Sequence, residues 1–200
     1  MFQRKCGGLI IILLVGLFVW QGGSELETAS AQPPGSVKYM RFEKWGVAFE
    51  YPQGWEEHTA DRVNYMKEAA KEQLKSFSII LEEYAVIDGP NEMGALMISK
   101  SKRGSPITVQ GVFEERQQVY RDAQAAGDVT KINLLEQITV DNKPAVLEDV
   151  ERSSGLYNRG RTIKVISGET IIEISLIAEK SEFENCKLIF DHIINTLKIK

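Results

Sequence analysis

Catalysis or metal binding in this chain would have to be built from two histidines, two cysteines and scattered serines and glycines. His58 and His192 have no second His or Cys at the short spacing of a zinc site. Only Glu57 and Asp191 stand beside them, so a divalent site would need the fold to join distant parts of the chain. Cys186 falls between Phe183 and Phe190 at helical spacing, the pattern of a small core residue. A reactive thiol needs a cation nearby and some exposure. No Gly-x-Ser-x-Gly elbow is present. Ser99 and Lys102 have Ser-x-x-Lys spacing, but at a strand end and not on a helix. Gly89, Gly94, Gly104 and Gly111 lie in different elements and form no phosphate-cradling loop. The expectation is a protein with no catalytic residues, no cofactor and no metal: not an enzyme.

Basic clusters offer recognition chemistry instead. Lys100, Lys102 and Arg103 lie in an expected loop over 100–106. Arg152, Arg159, Arg161 and Lys164 flank the connection 153–160, which also holds Leu156 and Tyr157. Arg and Tyr on a loop suit docking. The expected contact residues are Lys100, Lys102, Arg103, Arg152, Tyr157, Arg159 and Arg161. The plainer alternative is a solvated hairpin tip. The acidic runs Glu114-Glu115 and Glu148-Asp149-Glu151 read as exposed faces. A net charge of −4 opposes nucleic-acid binding, which needs a basic footprint.

These residues must be positioned by helices and strands whose periods are legible. Strand residues alternate in part over 37–51, and Pro52 and Gly54 stop them. Val63, Met66, Ala70, Leu74, Phe77 and Leu81 predict a helix over about 60–84, with Asp61 near its cap. Asp88-Gly89-Pro90-Asn91 is a turn before a short strand, Ala95 to Ser99. A second helix is expected from about Thr108 to Ala126, with Gly127 as its terminator. Strands follow over 132–140, 145–152, 161–167 and 170–178. The turns at 141–144 and 167–169 are short, so neighbours run antiparallel. A last helix spans about 182–197, with Ser181 and Glu184 as a capping box. Three helices and about six strands predict an α+β fold, an antiparallel sheet with helices on its faces.

Residues 45–55, Trp-Gly-Val-Ala-Phe-Glu-Tyr-Pro-Gln-Gly-Trp, resemble the opening motif of PsbP-like domains. The stretch from Phe183 to Ile199 is similar to that family's closing helix, and the Asp141 to Ala145 turn resembles its central hairpin. The resemblance covers roughly residues 40–200. It implies an α/β/α sandwich around an antiparallel sheet, a fold shared with the Ran-binding Mog protein. It also implies an extracytoplasmic accessory or binding domain. The extended N-terminal segment through which plant PsbP acts is replaced here by an expected signal peptide and tether, so a role in oxygen evolution is not carried over.

Arg4 and Lys5, an apolar run from Leu9 to Trp20 and Ala29-Ser30-Ala31 have the layout of a secretory signal peptide. The run is shorter than the ~20 residues that span a bilayer. Expected are a signal peptide or uncleaved anchor over 1–31, a tether over 32–37 and one domain over 38–200, periplasmic or extracellular. After cleavage Cys186 stands alone, so no internal disulfide is expected. The functional expectation is an exported, non-catalytic domain docking on a protein partner in the envelope. Membrane contact would come only through an uncleaved anchor. The alternative is a small-ligand receptor, its pocket lined by aromatics such as Trp45, Trp55 and Tyr84, or an enzyme whose site forms only on folding.

Overall fold

A computed structural model describes residues 37–75, 78–153 and 157–200. The expected signal peptide, and the tether up to residue 36, lie outside the described residues, as do Phe77 and Leu156. The chain runs β1 (Tyr39–Lys44), β2 (Val47–Pro52), β3 (Glu56–Glu57), α1 (Ala60–Lys75), β4 (Ile79–Asp88), a 3-10 turn (Pro90–Glu92) and β5 (Gly94–Arg103). It continues α2 (Val109–Ala125), β6 (Val129–Val140), β7 (Lys143–Arg152), β8 (Arg159–Ser167), β9 (Thr170–Ala178), α3 (Phe183–Thr196) and β10 (Lys198–Ile199). Seven strands form one antiparallel sheet in the order β3-β4-β5-β9-β8-β7-β6, and β1-β2-β10 form a small second one. The architecture is the expected α+β fold, with more strands than the six read from sequence.

Successive strand residues face opposite sides of the sheet. One face carries Ala85, Ile87, Leu96, Ile98, Leu147, Ile163, Val165, Ile174 and Leu176 under α3 and the small sheet, the largest core cluster. Phe183, Cys186, Phe190 and Ile193 of α3 seal it. Phe42 stacks on Phe49 at 4.8 Å, tying the small sheet in. Gly94 permits the closest approach in this core. A Cβ there would meet the Ile177 carbonyl oxygen at 2.8 Å and the Cys186 sulfur at 3.2 Å. The other face is covered less completely, by α1 and α2.

The expected helix over 60–84 ends at Lys75, and residues 79–88 form a strand. Leu81 fits the helical period, but Ile79-Ile80 and Tyr84-Ala85-Val86-Ile87 suit a strand. Ser78 takes a left-handed φ of 56° and breaks the helix. Pairing along the length of β5 overrides the amphipathic pattern. β5 likewise runs on to Arg103, so Lys100, Lys102 and Arg103 are strand residues, not loop residues. α2 agrees with its reading and ends in a Schellman motif. Gly127, at φ 80°, donates to the Gln124 carbonyl and Asp128 to that of Ala123. The capping box fails. The chain enters α3 through a turn, Glu182 is the N-cap, and it makes no side-chain cap hydrogen bond.

Candidate functional site

Polar side chains at alternate positions of β5, β7, β8 and β9 interrupt the apolar surface under α1 and α2. Ser99 and Ser101, Glu148 and Arg152, Thr162 and Lys164, and Glu173 and Ser175 line one cavity of about 150 Å3, together with Arg103, Glu115, Arg116 and Tyr120. Its apolar wall includes Leu74, Tyr84, Met97 and Ile177.

An ionic network organises the polar half. Arg116 on α2 donates to Glu148 at 2.9 Å and to the Tyr120 hydroxyl at 2.8 Å. Lys164 lies 3.9 Å from Glu148 and also donates to Glu173. Ser175 donates to Glu173 at 3.1 Å and accepts from Thr162 at 2.9 Å. Arg103 grips Glu115 through two bonds, 2.7 and 2.9 Å. Burial alone would raise the Glu173 pKa, but Lys164, Arg116 and Ser175 outweigh it and hold the group below the usual carboxylate range. Burial would likewise depress Arg116, and the Glu148 charge with Tyr120 outweighs it, so this guanidinium is held charged more firmly than in water. Burial drives the Tyr84 hydroxyl up to about 12 and also raises Tyr120.

Arg152 differs. It lines the same cavity, half-buried, and among the described residues no carboxylate lies within ion-pair distance of it. Burial, helped by the Arg116 charge, lowers its pKa against the opposing pull of Tyr120 and Glu148.

The seven expected contact residues do not form one surface. Alternation puts Arg103 and Arg152 on the cavity face and Lys100, Lys102, Arg159 and Arg161 on the α3 face. Arg159 reaches Asp149 at 3.2 Å and lies over the Phe183 ring at 4.0 Å. Arg161 pairs with Asp191 at 2.9 Å. Lys100 lies 4.0 Å from Glu82, and Lys102 is exposed. Tyr157 packs with Val86, Ala95 and Ile177. Glu148 and Asp149 of the acidic run are buried, each facing cations, and do not lie on the exposed face expected for them.

The remaining chemistry-bearing residues stay apart. His58 pairs with Asp88 at 2.7 Å, and His192 with Glu50 at 3.1 Å while stacking on Tyr39. Among the described residues no cluster of three His, Cys, Asp or Glu could hold a metal. Cys186 is buried, and its thiol is pushed up to about 12 by that burial. Ser99 and Lys102, three apart on a strand, face opposite sides of the sheet. Of the three aromatics expected in a pocket, only Tyr84 lines the cavity. Trp55 is buried in the α3-face core and Trp45 packs against it. Sequence reasoning missed Arg116, Glu148, Glu173 and Ser175. For the last three the signal is a charged or hydroxyl residue within strands otherwise largely apolar, whereas Arg116 sits among the buried residues of α2 with Val112, Val119 and Tyr120.

Among the described residues no helix is long and apolar enough to cross a membrane. No protein-family model matches the sequence, and no curated protein matches it. Among solved structures, the solution structure of cyanobacterial PsbP (CyanoP) from Synechocystis sp. PCC 6803 is similar. The TM-score is 0.56 at 16% identity, over 86% of this chain and 98% of that one. The chain therefore has the PsbP-like α+β fold that its opening motif and closing helix suggested.

Proposed function

We propose that this chain is an exported, non-catalytic accessory domain that acts by binding, with a protein partner in an envelope or membrane-associated complex. The observation that carries the binding reading is the state of the cavity groups. Glu115, Glu148 and Glu173 each face a cation at close range, so each carboxylate is committed to an ion pair within the fold. The PsbP-like fold supports an accessory role, and the apolar run before Ala31 supports export. Within this reading Lys102, with Lys100 beside it on β5, is the contact surface. Arg159 and Arg161 are engaged inside the fold.

The test is chemical crosslinking of the tagged full chain in its own cell envelope, at low and high salt. A stoichiometric partner that weakens with salt and is lost in Lys100→Glu/Lys102→Glu is expected. No stoichiometric partner at either salt would overturn the docking role, and one indifferent to the double variant would overturn the surface. Mass spectrometry of the recovered chain is expected to find Gln32 at its N-terminus. An intact Met1 would overturn cleavage in favour of an anchor.

A further inference from the structure

The cavity has an asymmetry that the fold does not need. Its lining holds four cations, Arg103, Arg116, Arg152 and Lys164, and three carboxylates, Glu115, Glu148 and Glu173. Glu115 is taken by Arg103, Glu148 by Arg116, and Glu173 by Lys164, which also neighbours Glu148. Among the described residues Arg152 is left over: Tyr120, Arg116 and Glu148 are its neighbours, but no carboxylate lies at ion-pair distance. A guanidinium drawn out of water without an anion is costly, and its planar fork matches a carboxylate.

We propose that this cavity binds a small organic monocarboxylate, with the carboxylate on Arg152 and an apolar body against Ile177 and Met97. A single negative charge fits, because the other three cations already face carboxylates. The size fits too, since a cavity of about this volume in another protein admits a benzene-sized body. Ser99 and Ser101 line the end of the cavity away from Arg152, where their hydroxyls can meet a polar substituent on the body. The site is distinct from the Lys100 and Lys102 surface, which faces the other side of the sheet.

The probe is benzoate, titrated calorimetrically into the full 200-residue chain. Benzamide is its neutral isostere and benzylamine its cationic one. Benzoate is expected to bind, benzamide at least about tenfold more weakly, and benzylamine not at all. Arg152→Gln should weaken benzoate by about tenfold and leave benzamide unchanged, and Arg152→Lys should restore part of the loss. Met97→Trp, which fills the apolar end and keeps Arg152, should abolish binding of both. Three results would each overturn the proposal: no benzoate binding, equal affinity for benzoate and benzamide, or benzoate affinity unchanged in Arg152→Gln. If that variant does not fold, the benzoate and benzamide comparison on the wild-type chain decides. Loss of the envelope partner in Lys100→Glu/Lys102→Glu with benzoate affinity intact would show that the two readings stand or fall separately.

Discussion

Glu148 faces two cations from a position only 3% exposed, and that sets what each substitution leaves behind. Removing one partner of a buried pair strands the other charge, whereas removing both strands none. Glu148→Met leaves Arg116 with only the Tyr120 hydroxyl and with Arg152 nearby, and is expected to cost about 3 kcal/mol. Adding Arg116→Met should return at least about 1 kcal/mol of that loss, a coupling readable by urea unfolding of the three variants. Additive losses would mean that the network is solvated in place. Cys186 gives a second expectation at this scale. Its thiol stays protonated in the fold up to about 12, while in the unfolded chain it ionises near the model-compound value of 9.0. Above that lower value the unfolded chain binds fewer protons than the native one, so its ionisation favours unfolding. The stability difference between wild type and Cys186→Ala should therefore shrink by about 1.4 kcal/mol per pH unit between about pH 9 and pH 12, and stay constant below. A constant difference throughout would show that the thiol is not shielded.

At the scale of elements, the β6–β7 hairpin locks the C-terminus. Asp141 and Asn142 both take left-handed φ values, 49° and 61°, as a two-residue hairpin turn of the primed kind requires. The turn aims the Asp141 carboxylate at β10, where it accepts from the Ile199 amide at 2.8 Å and from Lys198 at 3.2 Å. The amide bond first, then Lys198, holds this carboxyl below its ordinary range. The attachment is therefore present at neutral pH and lost on acidification. The Ile199 amide proton resonance should move upfield as pH falls through the Asp141 pKa, and Asp141→Ala should show the upfield position at neutral pH. An Ile199 resonance indifferent to both would break this link. Short turns and clean periods made α2, α3 and β6 to β9 legible in sequence, because each is specified locally. The end of α1 was not. The residues from Leu74 to Leu81 fit a helical stripe, and only the long pairing of β4 with β5 decides against it. The same limit hid the site. Alternation puts Glu148, Lys164 and Glu173 on one face, but strand order brings them together, and no local signal encodes that order. Arg103 and Arg152 were legible as cations, though not as residues of one cavity.

For the whole molecule, the two faces of the large sheet are unequal. α3 buries Phe183, Cys186, Phe190 and Ile193 in the main core. α1 buries only Ala70 completely among its described side chains. Val63, Met66 and Leu74 remain half-buried and Tyr65 is 66% exposed. Part of its hold is polar, through Lys67, which donates to the Glu82 carbonyl and lies 3.4 Å from Glu83. Regions with few buried apolar contacts open before the global transition. α1 also supplies Ala70 and Leu74 to the cavity, so its departure would uncover the site without unfolding the core. Amides of residues 60–75 should therefore exchange with solvent about 100-fold or more faster than those of 183–196, through an opening separate from global unfolding. Met66→Ala should speed exchange in α1 and leave α3 unchanged. Phe190→Ala, at the centre of the other face, should cost about 3–5 kcal/mol and speed exchange in both helices. If α1 and α3 exchange at one common rate, the molecule opens only as a unit, and a ligand would have to reach the cavity with α1 in place.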